Sequence, residues 1–156
     1  MPNLYNILLI LSRNIFFYKK IKLSDNFETR LYLMLVHFSI MLIVSKNKKN
    51  KFSQRLYDLF FHNIENNLRE IGLGDVSVNK KMKEFNKILY DILLKINIGK
   101  KDFEMNKELI FKYFDDFNGV NRDKFKEFEK YFINFYYFCF EQSSKNMVKE
   151  ALNFKF

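Results

Sequence analysis

Residues 64–82 read I-E-N-N-L-R-E-I-G-L-G-D-V-S-V-N-K-K-M and contain two of the four glycines in the chain, Gly72 and Gly74. In and before this stretch, apolar residues recur every three or four positions, as they do on one face of a helix. They are Leu56, Phe60, Ile64, Leu68 and Ile71. A glycine just after such a series favours the left-handed conformation that ends many helices. The pattern therefore predicts a helix that stops at Gly72.

A second helix is predicted directly after a turn at Gly74 and Asp75. Asp75 or Ser77 suits its N-cap, because either side chain can accept a hydrogen bond from a free backbone N–H. Its apolar face consists of Met82, Phe85, Leu89, Ile92 and Ile96. The stretch is thus predicted to form a helix-turn-helix corner, which carries a set of charged residues. They are Glu65, Arg69, Glu70, Asp75, Lys80 and Lys81.

Composition extends this helical prediction to the whole chain. Its 156 residues suit one domain, and 48% of them are hydrophobic, with 20 Phe and 9 Tyr. One proline and four glycines argue against a loop-rich β protein. We expect an all-α fold, a single-domain bundle of about six helices over residues 1–156.

Caps and periodicity place the remaining helices. The first is predicted over residues 3–17, followed by a basic connection over 18–24. Asp25 and Glu28 have capping-box spacing for the second helix, which ends at the lysine-rich run 46–51. Because apolar residues surround this second helix, it should be the most buried.

Two more helices are predicted towards the C-terminus. The fifth covers residues 105–117, and the sixth starts near Asn121. Its inward face consists of Phe125, Phe128, Phe132, Phe135 and Cys139. The tail after Ser143 has a weaker pattern and is expected to fray.

Two apolar stretches are too short to cross a bilayer. Residues 4–11 and 31–44 span eight and fourteen positions, whereas a transmembrane helix needs about 20. The first also lacks the basic start and the cleavage site of a signal peptide. We expect a first helix and a buried central helix, with no signal peptide and no transmembrane span.

The net charge of +9 leaves two interpretations open. It could reflect a polyanionic partner such as RNA, the ribosome or an anionic membrane. It could also follow from base composition, because Lys, Asn, Ile, Phe and Tyr are enriched together, as in A/T-rich coding sequence. We expect no specific DNA partner.

Enzymatic chemistry has little support in the sequence. A catalytic site needs a nucleophile, a base and an orienting group, or a set of metal ligands. His62 and Glu65 lie one helical turn apart, but two ligands are too few for a metal site. His37 is either a core histidine bonded to a carboxylate or carbonyl, or a partner-binding residue, and Cys139 reads as a buried thiol. We expect a non-enzymatic protein without cofactor or metal.

Arginine is used sparingly, with five Arg against 22 Lys. Arginines can therefore mark positions that need a planar, bidentate donor. Arg30 lies beside Asp25, and Arg69 lies beside Glu65. Each arginine could form ion pairs that lock a helix end, or could present a carboxylate-binding face.

Two blocks of sequence carry a resemblance to a known family. The first comprises R-N-I-F-F-Y at 13–18, L-S-D-N-F-E-T-R at 23–30 and L-V-H at 35–37. The second comprises L-R-E-I-G-L-G-D at 68–75, followed by Val78, Lys80 and Lys81. In order and spacing they resemble the ubiquinol-cytochrome c chaperone family, whose second block reads L-R-E-M-G-V-G-D. The chain departs from the family pattern at Ile15, Lys22, Ser24 and Thr29, where proline, glycine, proline and glycine are usual, so the turn before the second helix should be built differently.

The resemblance implies a chaperone or assembly factor. Such a protein holds newly synthesised cytochrome b and promotes assembly of ubiquinol-cytochrome c reductase, respiratory complex III. Further implied partners are a small partner protein and the ribosome. The resemblance also implies a bacterial member in the cytoplasm, peripheral at the cytoplasmic face of the inner membrane. The alternative is a basic ribosome- or RNA-associated helical interaction module.

We expect the faces around Arg30–His37 and Glu65–Lys81 to line one partner-binding cleft. The candidates are Tyr18, Asp25, Arg30, His37, Asp58, Glu65, Arg69, Glu70, Gly72, Gly74, Asp75, Lys80 and Lys81. The simpler reading is that these residues only hold the corner together.

Overall fold

The computed structural model describes residues 3–119 and 121–156, and within these ranges all regular elements are helical. The all-α prediction is therefore confirmed, with a short seventh helix in the tail. The α-helices are α1 (Leu4–Ser12), α2 (Phe27–Asn47), α3 (Gln54–Glu70), α4 (Asp75–Lys95), α5 (Lys107–Tyr113), α6 (Phe125–Glu141) and α7 (Met147–Glu150). A π-helical turn covers Phe16–Lys20, and 3-10 turns cover Asp115–Asn118, Arg122–Lys124 and Ala151–Asn153.

Helix α2 lies at the centre of the bundle, packed against α1, α4 and α6. Its buried residues point in all directions, as its uniform apolar pattern predicts. Helix α2 is longer than the apolar run 31–44, so by length and composition it could cross a membrane, but 72% of its most apolar window is buried inside the protein. Such burial is what a core helix requires.

Helix α6 packs an aromatic layer against α2. The predicted inward residues of α6 are all buried. Their rings meet edge to face, for example Phe128 with Phe132 at 4.9 Å and Phe132 with His37 at 4.8 Å between centroids. Phe17 joins the layer at 4.7 Å from the Tyr131 ring. Edge-to-face pairs are the favoured geometry for aromatic rings, so this layer is a main source of packing energy.

The first helix is shorter than predicted. It ends at Ser12, because the Asn14 side chain accepts a hydrogen bond from the Phe16 N–H at 3.0 Å and starts a separate turn. That turn leads to Lys22, whose φ of 67° lies in the left-handed region. The backbone is therefore left-handed at the position where the family pattern has glycine.

The N-cap of α2 is Asn26, and the prediction of Asp25 was wrong. Asn26 has extended backbone and accepts a hydrogen bond from the Thr29 N–H at 2.9 Å. Asp25 lies one residue before this N-cap, which leaves its carboxylate free to pair with Arg30.

The corner forms as predicted at its first glycine. Gly72 has a φ of 99°, and the Leu73 N–H donates to the Leu68 carbonyl at 3.2 Å, which closes the end of α3. The predicted N-cap of α4, Asp75 or Ser77, was wrong. Gly74 occupies that position without a side-chain cap, because α4 begins at Asp75 itself.

Two C-terminal boundaries also differ from expectation. Helix α5 begins after Asn106 and ends at Tyr113, because Phe114 leaves the helical region with φ −114° and ψ 86°. Helix α6 begins at Phe125, after the 3-10 turn, slightly later than predicted.

The tail, which we expected to fray, packs onto the core. Met147, Ala151 and Phe154 are buried, and the Phe154 ring lies 5.3 Å from those of Tyr131 and Phe135. The weak periodicity of the tail gave no sign of these contacts, because a few large side chains make them.

Candidate functional site

The thirteen candidate residues occupy three places in the fold. One group lies at the start of α2, a second lies on α3 and at the corner, and His37 lies in the core. The structure therefore does not bring all of them into one cleft. Each place has its own geometry and chemistry.

Arg69 joins the two helices of the corner. Its Nη2 donates to Glu65 Oε1 at 2.9 Å on α3, and its Nη1 donates to the Asp75 carboxylate at the start of α4. The hydrogen bonds that Arg69 donates, first the one to Glu65 and then the one to Asp75, raise its pKa. Because the pairs are exposed, each adds little stability by itself. The Arg69–Asp75 pair is the one that links α3 to α4 across the turn.

Apolar side chains project into solvent around this corner. Ile71 is 68% exposed at the end of α3, and Val76 is 83% exposed in the first turn of α4. Glu70 and Lys80 are exposed nearby, and Lys81 is half-buried. Contiguous apolar patches rimmed by polar residues mark protein-binding surfaces, and Ile71 and Val76 offer apolar surface on both sides of this turn.

Asp58 lies on the outer face of α3. With His62, Glu65 and their neighbours it lines a shallow cavity of about 710 Å³. Its Oδ1 accepts a hydrogen bond from Gln54 Nε2 at 2.9 Å. Across residues 3–119 and 121–156, no group of three or more His, Cys, Asp or Glu side chains is arranged to hold a metal ion.

Tyr18, Asp25 and Arg30 come together at the start of α2. They line a cavity of about 460 Å³ with Arg13, Ile15 and Lys19, which we name the basic groove. Arg30 Nη1 donates to Asp25 Oδ1 at 2.6 Å.

Tyr18 forms the wall of the basic groove. Its hydroxyl donates to the Ser12 carbonyl at 2.7 Å and so anchors the wall to α1. Burial, and secondarily the Asp25 charge, raises the pKa of Tyr18 to about 12. The phenol is therefore neutral at physiological pH and acts as a hydrogen-bonding group.

Arg13 and Lys19 were missed as candidates. Arg13 is one of the five arginines, and it opens the first family-like block, so the scarcity of arginine was a usable signal. Lys19 had no such signal, because it is one of several lysines in a lysine-rich stretch. The π-helical turn Phe16–Lys20 is what brings it to the basic groove.

His37 is fully buried and has two hydrogen bonds. Its Nδ1 lies 2.6 Å from the Leu33 carbonyl, and its Nε2 lies 2.9 Å from the Tyr131 hydroxyl. Since a carbonyl only accepts, Nδ1 carries the proton and Nε2 accepts from Tyr131. Burial lowers the pKa of His37 to about 4, against the opposing effect of the Leu33 hydrogen bond. His37 is therefore a neutral core histidine bonded to a carbonyl, the first of the two interpretations.

Cys139 also belongs to the core. It is fully buried, and burial raises the pKa of its thiol above the ordinary value. A thiol that stays protonated is a poor nucleophile. The structure thus gives Cys139 a packing role.

The chain matches a known family in sequence. The sequence model of a family described as ubiquinol-cytochrome C chaperone matches residues 19–110, more than half of the chain. The matched range begins just after Tyr18 and includes Asp25, Arg30 and the whole corner. Searches of curated proteins and of solved structures gave no significant match.

Proposed function

The chain belongs to the ubiquinol-cytochrome c chaperone family, and on that premise we propose that it binds newly synthesised cytochrome b until the subunit enters respiratory complex III. Membership supports a role in complex III assembly and a protein that binds its client without catalysing a reaction. The more specific steps, that cytochrome b is the client and where it binds, are our proposal.

The corner is the proposed client-binding site. The observation that carries it is the exposure of Ile71 and Val76 on either side of a turn that Arg69 holds in place. Cytochrome b is a membrane protein, so its unassembled helices offer apolar surface to such side chains. Gly72 and Gly74 leave the backbone of the turn uncovered, which allows a close approach.

Charged groups would orient the client on this apolar contact. Glu70, Lys80 and Lys81 surround the corner, and Asp58 and Glu65 extend the charged surface along α3. Charged rims of this kind select partners and speed association more than they add affinity.

The basic groove, with Tyr18, Asp25 and Arg30, is a second binding surface in this proposal, separate from the client-binding corner. His37 takes part only indirectly, because its hydrogen bond to Tyr131 fixes α2 against α6 beneath the surface. We place the protein in a bacterial cytoplasm, peripheral at the cytoplasmic face of the inner membrane, where cytochrome b is inserted. A small partner protein and the ribosome are further proposed partners.

A basic ribosome- or RNA-associated module is the second candidate, and the net charge of +9 favours it. Salt separates the two functions. Binding to RNA weakens steeply as salt rises, because counterions are released from the phosphates. An apolar grip on a membrane protein depends on salt only weakly.

Site-specific photocrosslinking in the host tests the client-binding site. A photoreactive residue at Ile71 or Val76 should capture cytochrome b. The control is Leu94, which is 79% exposed on the same helix as Val76 but lies roughly 27 Å further along its axis. Absence of cytochrome b at both corner positions, or equal capture at Leu94, would overturn this assignment.

A further inference from the structure

Three exposed apolar side chains lie in or near the basic groove. Ile15 lines it directly and is 59% exposed. Phe27 is 42% exposed and shares with Arg30 a small adjoining cavity between α1, α2 and α3. Ile10 is 53% exposed and lies three residues before Arg13, close to the same side of α1. The basic groove thus combines cations with exposed apolar groups.

The charge of the basic groove is positive. Arg13 and Lys19 make no ion pair with the part of the chain that the structure describes. Arg30 bonds Asp25 through Nη1, which leaves other N–H donors of its guanidinium for a ligand. The basic groove therefore contains three cationic side chains, Arg13, Lys19 and Arg30, and one carboxylate, that of Asp25.

The other acidic groups near the basic groove either face another side of the protein or already accept hydrogen bonds. Glu28 lies two residues before Arg30 and so on the other side of α2, where its charge acts on Tyr32. Asp116 accepts hydrogen bonds from the Ser24 N–H and hydroxyl at 3.1 and 2.9 Å. Neither group offsets the charge of Arg13 or Lys19.

We propose that the basic groove and its three apolar neighbours form the face that docks on an anionic phospholipid bilayer. The inference rests on the proposed membrane association and names the surface responsible for it. The guanidinium groups of Arg13 and Arg30 bind headgroup phosphates, for which their planar fork is suited. Ile10, Ile15 and Phe27 enter the boundary between headgroups and acyl chains.

The side chains favour a bilayer over RNA. Single-stranded RNA is held largely by bases stacked on aromatic rings, whereas the two most exposed of the three apolar side chains, Ile10 and Ile15, are aliphatic and offer no such surface. Aliphatic groups beside cations are instead typical of proteins that lie on a membrane, where apolar burial and attraction to anionic lipid act together.

Vesicle flotation tests the proposal with the full chain. Wild type should bind vesicles of phosphatidylcholine with about 30% phosphatidylglycerol, and should bind pure phosphatidylcholine poorly. Arg13→Ala with Lys19→Ala should weaken binding about 25-fold, about fivefold for each cation removed. Ile15→Ser, which keeps the charge, should weaken it about tenfold.

A matched control removes the same charge elsewhere. Lys100→Ala with Lys101→Ala alters two exposed lysines in the loop after α4, and it should bind as wild type does. Free inorganic phosphate at constant ionic strength should not displace the protein, because it offers no apolar phase. Displacement by phosphate would point to a soluble phosphate ligand and overturn the bilayer assignment.

The remaining outcomes separate this inference from the function proposed above. If wild type binds anionic vesicles and every variant binds equally, the face is wrong while membrane association stands. If wild type does not bind anionic vesicles at all, the proposed face and the membrane association are both wrong. Capture of cytochrome b at Val76 still decides the chaperone role. If the protein instead binds single-stranded RNA through Arg13 and Lys19, the surface is an RNA site.

Discussion

The Tyr131 hydroxyl donates to Nε2 of His37 over 2.9 Å, joining α6 to the middle of α2 inside the aromatic core. His37 uses its other ring nitrogen for the Leu33 carbonyl. Both nitrogens of a fully buried imidazole are therefore satisfied. Loss of either partner would leave a polar atom in an apolar environment, which costs free energy.

Tyr131→Phe should lower the free energy of unfolding by about 1 to 3 kcal/mol. The change removes only the hydroxyl, so Nε2 of His37 loses its donor while the ring packing is kept. Urea unfolding measures the effect. Tyr32→Phe is the control, because the Tyr32 hydroxyl makes no hydrogen bond to other described residues. Equal stability of the two variants would contradict the assigned role of the Tyr131 hydroxyl.

Stability should fall as the pH drops from about 6.5 towards about 4. The unfolded chain binds a proton at His37 near its ordinary pKa of 6.5, whereas burial holds the folded pKa at about 4. Above the unfolded pKa of 6.5, His37 is neutral in both states, and the stability of the folded chain is not reduced by its titration. Between about pH 6.5 and about pH 4 the unfolded chain takes up the proton first, and roughly 3 kcal/mol of stability is lost.

The carboxylates of the chain titrate too, so the comparison must isolate His37. Urea unfolding of wild type and His37→Gln between about pH 7 and about pH 4 does so. Wild type should lose more stability than the variant over this range. Parallel curves would show that His37 titrates alike in the folded and unfolded chains.

The carboxylate of Asp91 on α4 is expected to hold α5 in place. Its oxygens lie 2.7 Å from Lys95 Nζ and 2.9 Å from Lys112 Nζ, and it accepts a hydrogen bond from the Tyr113 hydroxyl. Hydrogen bonds from Lys95, Tyr113 and Lys112 hold the pKa of Asp91 well below its usual range.

Replacing Asp91 by Asn should therefore destabilise the protein by about 1 to 3 kcal/mol, since its side chain is only 15% exposed. Hydrogen exchange should show faster opening of α5. Asp115→Asn, an exposed aspartate with no ion pair to the described residues, is the control. Unchanged exchange in α5 would mean that apolar packing alone holds the helix.

Gly72 and Gly74 should respond differently to alanine. A Cβ at either position meets no atom within 4 Å, so steric overlap is absent at both. Gly72 has a φ of 99°, however, which L-residues rarely adopt, whereas Gly74 has a φ of −74°. Gly72→Ala should cost about 1 to 2 kcal/mol in thermal or urea unfolding, and Gly74→Ala should change stability little. The reverse order would show that the turn has another geometry.

The bundle was predictable where local pattern and tertiary packing agree. The series from Phe60 to Leu68 and the glycine after it determine the end of α3, and the uniform apolar sequence of α2 predicts its central place. Helix ends that depend on one side chain were not predictable. Asn26 caps α2, and the Asn14 side chain starts the turn after α1, but sequence alone did not show that Asn26 prevails over its neighbour Asp25.

The site was predictable only in part, because its groups depend on tertiary contacts. The charges beside Arg69 were close in sequence, so their pairing could be expected. The partner of His37 lies 94 residues away, and no local pattern connects the two. The Asp91–Lys95 pair has helical spacing, but Lys112 and Tyr113 join it from another helix.

The most direct test of the central claim is the level of cytochrome b in a strain of the host that lacks this protein. Cytochrome b should fall selectively relative to cytochrome c oxidase, and the wild-type gene should restore it. A gene with Arg69→Ala and Asp75→Ala should not restore it, because the corner loses the Arg69–Asp75 ion pair across the turn and the Arg69–Glu65 pair on α3. Unchanged cytochrome b in the deletion strain would contradict the proposed client and leave the basic interaction module as the better account.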